Sequence, residues 1–257
     1  MTKAKKQNAS IRDVLLDPDS PVLDDEVLAS CGARNRHLVE QLRAEENMRL
    51  EEESRAAYAH QPPRIGVLAI QGDYAAHAVA LEEAGAVPIE VRKPEQLADL
   101  DGLILPGGES TTMLKFIESR GLFRALEQFG ESKPVFGTCA GAILLAREVR
   151  NPAQRSLGLL DAVVERNAYG RQIDSAILQS ETKLPGGPLE MVFIRAPRFA
   201  EIGPGVEALA FRDDAPALVR QGTVMAATFH PELSPDRRVH RLFVDAVRTA
   251  KSSAGRA

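Results

Sequence analysis

From Arg64 onward, short apolar runs alternate with stretches of helical period. Ile65-Gly-Val-Leu-Ala-Ile70 is apolar throughout and of strand length, and Gln71-Gly72 follows as a turn. A helical pattern comes next, with Ala75, Ala76, Val79, Leu81 and Ala84 expected mainly on one face and Gly85 as its stop. Residues 87–91 and 103–105 predict two more strands, the latter ending in Pro106-Gly-Gly108. Helix is expected over 111–129 with a break at Gly121, and a fourth strand over 134–137 runs directly into a helix over 140–147. Strand signals dominate from 158 to 229, at 161–165, 191–194, 217–220 and 224–229, and an amphipathic helix over 235–250 closes the pattern. Strands that are apolar throughout and alternate with helices bury both faces of a parallel sheet. The expected fold class is therefore α/β: a three-layer, open, mostly parallel sheet with helices on both faces. No internal repeat is present.

The first 63 residues break this pattern. Of them 21 are charged, and they hold one of the chain's twelve aromatics, Tyr58. So polar a segment has little apolar surface to offset the entropy of ordering it. The stretch 37–58 favours helix formers, with Leu38, Leu42 and Leu50 on a thin apolar stripe. Three readings stand: a solvated extension, partly helical or disordered; a docking arm for a partner; or a natural start downstream, at Met48. Pro62 and Pro63 mark a boundary, since neither continues a helix. The expected organisation is a charged extension over 1–63, a folded α/β domain over 64–251 and a flexible tail over 252–257.

Composition narrows the classes of function. The chain has 257 residues and a net charge of -4, so a general nucleic-acid-binding surface has no support. No apolar run approaches the roughly 18 residues of a membrane span. The basic start is followed by Gln7-Asn-Ala-Ser10 and Asp13 rather than the apolar stretch of a signal peptide. Cys31 and Cys139 are too few for a disulfide framework, so a soluble cytoplasmic protein is expected.

Ligands of open α/β sheets collect at the carboxyl ends of strands, and three polar clusters fall there. In Gly137-Thr138-Cys139-Ala140-Gly141 a strand turns sharply into a helix with Cys139 at the turn. Small neighbours suit so tight an elbow, and a helix N-terminus favours the thiolate. A buried, inert cysteine is the ordinary alternative; the glycines and the strand-to-helix switch favour a nucleophile. In His230-Pro231-Glu232, residues two apart in extended chain point the same way, so Glu232 can orient His230 as partner of a nucleophile. By itself His-x-Glu more often marks a plain surface loop. His77 and His240 read as helix-face residues, His37 and His60 as parts of the extension. In Pro106-Gly-Gly-Glu-Ser-Thr111 the glycine pair can aim an N–H at a ligand, and with the N–H of Ala140 form an oxyanion hole. A plain turn with Ser110 capping the next helix is the alternative. Phosphate-loop, zinc and dinucleotide motifs are absent, so neither metal nor cofactor is expected.

Together these motifs resemble the class I, triad-type glutamine amidotransferases. Leu68-Ala-Ile-Gln-Gly72, Leu103-Ile-Leu-Pro-Gly-Gly-Glu-Ser-Thr-Thr-Met113, Val163-Val-Glu-Arg-Asn167, Gly170-Arg-Gln-Ile-Asp-Ser175 and Phe193-Ile-Arg-Ala-Pro197 narrow the resemblance to the glutaminase subunits of pyridoxal 5'-phosphate synthase. It runs from Arg64 to about Lys251 and departs at Ala176, where an aromatic is usual, and over 178–189. It implies a flavodoxin-like amidotransferase fold and hydrolysis of L-glutamine. Cys139 would be nucleophile, His230 acid and base, and Glu232 the orienting carboxylate. Gly108, Glu109 and Ser110 would hold glutamine and, with Ala140, the oxyanion; Arg166, Ile194 and Arg195 would complete the pocket. Arginine forks suit an α-carboxylate, although alone each reads as a solvent-facing arginine. The implied partner is a (β/α)8-barrel synthase subunit that receives the ammonia, and Gln71, on the same rim, is placed to sense its docking. The alternatives are a glutaminase subunit for another acceptor, a γ-glutamyl hydrolase or cysteine protease of related fold, and a non-catalytic regulatory subunit.

Overall fold

A computed structural model describes residues 41, 44–50, 57–58, 61–166, 168 and 175–254. Contacts divide the chain into two units at His60 and Gln61. In the first unit, residues 44–50 are helical, with Met48 and Leu50 exposed. Cys31, His37, His60, Leu38 and Leu42 lie outside the described residues, as do Asn167, 170–174 of the Gly170 motif, and 255–257 of the expected tail.

The second unit begins with β1 (Arg64–Leu68), α1 (Tyr74–Glu83), β2 (Val87–Val91), a 3-10 turn at Pro94–Leu97 and β3 (Gly102–Leu105). Next come α2 (Ser110–Ser119), α3 (Leu122–Ser132), β4 (Val135–Thr138) and α4 (Ala140–Leu145). A strand-rich stretch follows: β5 (Ala146–Arg150), β6 (Leu160–Glu165), β7 (Ala176–Ser180), β8 (Leu189–Phe193), β9 (Arg198–Ile202), β10 (Glu207–Arg212), β11 (Ala215–Gln221) and β12 (Val224–Ala227). After a 3-10 turn at Pro231–Leu233, α5 (Arg238–Ala254) is the last described element.

Seven strands form the main sheet in the order β10-β11-β12-β4-β3-β1-β2. The pairings from β12 to β2 are parallel, while β10 and β11 add an antiparallel edge. Side chains of the parallel strands alternate between two cores. Leu103, Leu105 and Val135 face α2, α3 and α4, among Met113, Ile117, Leu126 and Leu144. Ile65, Val67, Ile104 and Phe136 face α1 and α5, among Leu81, Phe243 and Val247. Each such side chain, fully buried, stabilises the fold by roughly 1.5–3 kcal/mol. The three-layer, mostly parallel α/β architecture is as the apolar strands imply. Two smaller sheets, β5-β6-β9 and the hairpin β7-β8, lie outside that pattern.

Several details differ from expectation. The helix expected over 140–147 stops at Leu145, because Ala146–Arg150 pairs with β6; pairing overrides local helix preference there. The face expected on α1 is right in part: Leu81 and Ala84 are buried, but Ala75 and Val79 are exposed, and His77 and Ala80 are buried instead. Helix α5 continues past Lys251, the expected end of the domain, to Ala254. Buried Lys251 anchors it, with Nζ 3.0 Å from Asp101 Oδ2, and the same oxygen accepts from the Arg64 N–H. No helix among the described residues is long and apolar enough to cross a membrane.

Candidate active site

Cys139 alone separates β4 from α4 and takes the strained conformation φ 48, ψ −102. Its N–H donates to the Ala227 carbonyl of β12 at 2.8 Å, which fixes the turn against the sheet. The turn is possible because the positions two residues to either side, Gly137 and Gly141, lack side chains. A Cβ on Gly141 would stand 1.9 Å from the Leu105 carbonyl oxygen, and one on Gly137 would stand 2.6 Å from Gly141 backbone.

His230 follows β12, and its N–H donates to the Val192 carbonyl at 2.8 Å. Its ring lies so close to Gly107 that a Cβ there would come within 2.3 Å of Cε1. Nδ1 is 2.7 Å from Glu232 Oε1, and the ring lines the same cavity as Cys139. Glu232 reaches the ring from the 3-10 turn Pro231–Leu233 rather than from extended chain, so the pairing is as expected and the backbone that makes it is not. Both residues are buried. Burial pushes the imidazole down, but hydrogen bonds and charge from Cys139 and Glu232 prevail and raise it from 6.5 to about 10. A proton therefore rests on His230 at neutral pH.

A cavity of about 300 Å³ opens beside the pair, within the size range of small-molecule sites. Cys139, His230, Gly108, Glu109, Ser110, Arg166, Ile194 and Arg195 all line it, together with Asp73, Ile143 and Pro197. Glu232 stands behind His230, and Ala140 opens α4. The cap of α2 is Glu109, not Ser110: its carboxylate accepts from the N–H groups of Thr111 and Thr112 and from the Thr112 hydroxyl. The Thr112 hydroxyl leads in lowering this carboxyl to about 2. Ser110 Oγ donates to Gln154 instead. Arg166 donates to Thr111 Oγ1 at 3.0 Å and lies 3.5 Å from Glu109 Oε1. Arg195 holds a left-handed φ of 44 at the exposed rim. Gln71 Nε2 donates to the Glu109 carbonyl at 2.8 Å. Asp73, His230 and Glu232 bring possible metal-ligand atoms within 4.8 Å of one another, but His230 and Glu232 spend theirs on each other.

Sequence reasoning missed Asp73, which the rule of carboxyl strand ends could have found, since it follows the turn after β1. It also set aside His77 and His240 as helix-face residues. Both are fully buried, with His77 Nδ1 3.0 Å from His240 Nε2. His77 Nε2 lies 3.1 Å from Thr138 Oγ1 and 3.2 Å from Glu232 Oε2. Burial lowers both rings, with His240 and His230 adding to the effect at His77 and Arg237 at His240, which falls to about 3. Both are neutral at physiological pH.

Comparison with known proteins gives this geometry a context. A pyridoxal 5'-phosphate synthase subunit PdxT from Koribacter versatilis is 61% identical over 189 residues, which is 74% of this chain and 98% of the relative. A PdxT subunit from Solibacter usitatus is 56% identical over 187 residues, covering 70% of this chain and 97% of the relative. A solved structure described as a glutamine amidotransferase is 49% identical, covers 71% of this chain and 98% of that chain, and aligns with a TM-score of 0.67. Residues 67–249 match the SNO glutamine amidotransferase family, well over half of the sequence, and the chain belongs to that family.

Proposed function

We propose that this chain hydrolyses L-glutamine to L-glutamate and ammonia, and that the ammonia passes to a separate subunit of pyridoxal 5'-phosphate synthase. The observation that carries the reading is the buried line from Cys139 through His230 to Glu232 beside a pocket of small-molecule size. Family membership and the relatives named as PdxT subunits of that synthase supply the substrate and the acceptor.

The Cys139 sulfur attacks the side-chain carboxamide carbon; a C–S bond forms and the carbonyl electron pair moves to oxygen. The N–H groups of Gly108 and Ala140 receive that oxyanion, and one such donor is worth about 3–4 kcal/mol in a known acyl transfer. His230 gives its proton to the amide nitrogen, the C–N bond breaks and ammonia leaves. The neutral imidazole then takes a proton from water, and the hydroxide adds to the γ-glutamyl thioester. Glutamate leaves, and the thiolate and imidazolium return. Glu232, accepting from Nδ1–H, keeps Nε2 turned to the sulfur throughout. Arg166 and Arg195 suit the α-carboxylate of glutamine, and the anionic Glu109 suits its α-ammonium. Ser110 and Ile194 complete the pocket.

The acceptor is a (β/α)8-barrel subunit, with Gln71 on the docking rim. Neither metal nor cofactor enters the steps. A working thiol and the absence of a disulfide framework fit a cytoplasmic location. Residues 64–254 belong to the amidotransferase domain, and 1–63 form an extension the chemistry does not use.

An electrophilic glutamine analogue tests the reading directly. It is expected to label the Cys139 peptide and leave the Cys31 peptide unlabelled, with excess glutamine protecting. Labelling that glutamine does not suppress would refute the substrate assignment.

A further inference from the structure

We infer that His77 is a positioning residue of the triad: its Nε2–H anchors the far oxygen of Glu232, so that Glu232 holds His230 in line with Cys139. The inference rests on the proposed roles of Glu232 and His230. Glu232 Oε1 is engaged by His230 Nδ1 at 2.7 Å. Its other oxygen, Oε2, is buried and has no aligned hydrogen bond among the described residues. His77 Nε2 stands 3.2 Å away and is shared with Thr138 Oγ1 at 3.1 Å. A buried carboxylate oxygen is unfavourable without a donor, so a small turn of the His77 ring toward Oε2 meets an unfilled need.

The histidine pair decides which nitrogen carries the proton. His240 Nδ1 is buried without a hydrogen bond among the described residues. Placing the hydrogen there would strand a donor, which is rarer in folded proteins than a stranded lone pair. His240 therefore carries it on Nε2 and donates to His77 Nδ1 at 3.0 Å. A neutral His77 then carries its own hydrogen on Nε2, facing Thr138 Oγ1 and Glu232 Oε2. A chain of polarised bonds runs from α5 through α1 to the triad. The titratable groups facing His77 are His240 from α5 and His230 and Glu232 from the turn after β12; Arg237 acts on His240, and Asp73 stands 3.8 Å from His230.

Three substitutions separate positioning from space filling. His77→Gln carries an amide N–H near the Nε2 position, His77→Leu carries none, and His77→Asn puts its amide near Nδ1. In the full-length chain with its synthase subunit, His77→Leu is expected to lower kcat for ammonia release by about 10- to 100-fold, as loss of an outer partner does at ligating histidines. KM should stay within about twofold, and His77→Gln should recover most of kcat. The second readout is alkylation of Cys139 by iodoacetamide, measured on its own peptide because Cys31 is also present. In His77→Leu it should slow at pH 7 and shift its pH dependence, since a loosened Glu232 supports the His230 imidazolium less; His77→Gln should restore the profile. Equal losses in the folded Leu and Gln variants with an unmoved profile overturn the inference, as does a His77→Leu protein that matches the wild type. Should His77→Leu fail to fold, His77→Gln and His77→Asn decide, and equal rates and profiles overturn it. A wild-type complex without Cys139-dependent ammonia release defeats the proposed function instead, and the alkylation profiles still judge His77.

Discussion

The proton on His230 governs how the site responds to pH. Burial pushes the imidazole down, and its bonds with Cys139 and Glu232 raise it to about 10. A raised folded-state pKa adds stability that is fully present below pH 6.5 and fades as pH rises to about 10. In the proposed mechanism the imidazolium is also the acid that releases ammonia. Hence kcat/KM should hold from neutral pH to about 9 and fall toward 10, and Glu232→Gln should move that fall toward neutrality. A pH–rate profile checks this, and an unmoved fall in the variant would exclude Glu232 as the support. Elsewhere in the pocket lining, Arg166→Ala removes a guanidinium proposed for the α-carboxylate. Its KM for glutamine should rise about 10- to 100-fold with a smaller change in kcat, in steady-state kinetics. Cys139, His230 and Glu232 were legible in the sequence because each follows a strand end and each has the small or rigid neighbours its turn demands. His77 was not, because apolar periodicity does not count a histidine as core; it led instead to Ala75 and Val79, which are exposed.

Two elements carry the site, and each has its own vulnerability. The first is the elbow from β4 to α4, where Gly141 lies against the Leu105 backbone. Since a backbone oxygen cannot give way as a flexible side chain can, Gly141→Ala should cost about 1–3 kcal/mol or more in urea unfolding and disturb Cys139. A variant as stable as the wild type would contradict the packing described. The second is α5, whose buried stripe of Val239, Phe243, Val244 and Val247 includes the neutral His240. A histidine lowered to about 3 destabilises the fold as pH drops below 6.5, by up to about 1.4 kcal/mol per pH unit until its folded pKa is reached. His240→Phe should flatten that slope in unfolding curves between pH 4.5 and 6.5. Strands and helices of the main sheet were legible because both cores demand apolar side chains. Strand β5 was not, since Ala146 and its neighbours read as helix until β6 supplies a partner.

At the scale of the molecule, the described second unit contains the whole pocket and both cores. Residues 61–257 should therefore fold alone and retain the glutaminase activity of the full chain within about twofold, which circular dichroism and ammonia release would check. The composition break near Pro62 and Pro63 made that boundary readable, whereas charge and polarity alone do not say what residues 1–63 do. The central claim is a Cys139-dependent glutaminase that serves a synthase subunit. It is tested most directly by ammonia release from L-glutamine, with and without that subunit, in the wild type and Cys139→Ala. The expected result is release that rises when the subunit is present and falls by several orders of magnitude in Cys139→Ala. Release that survives the substitution, or that is absent from the complex, would contradict it.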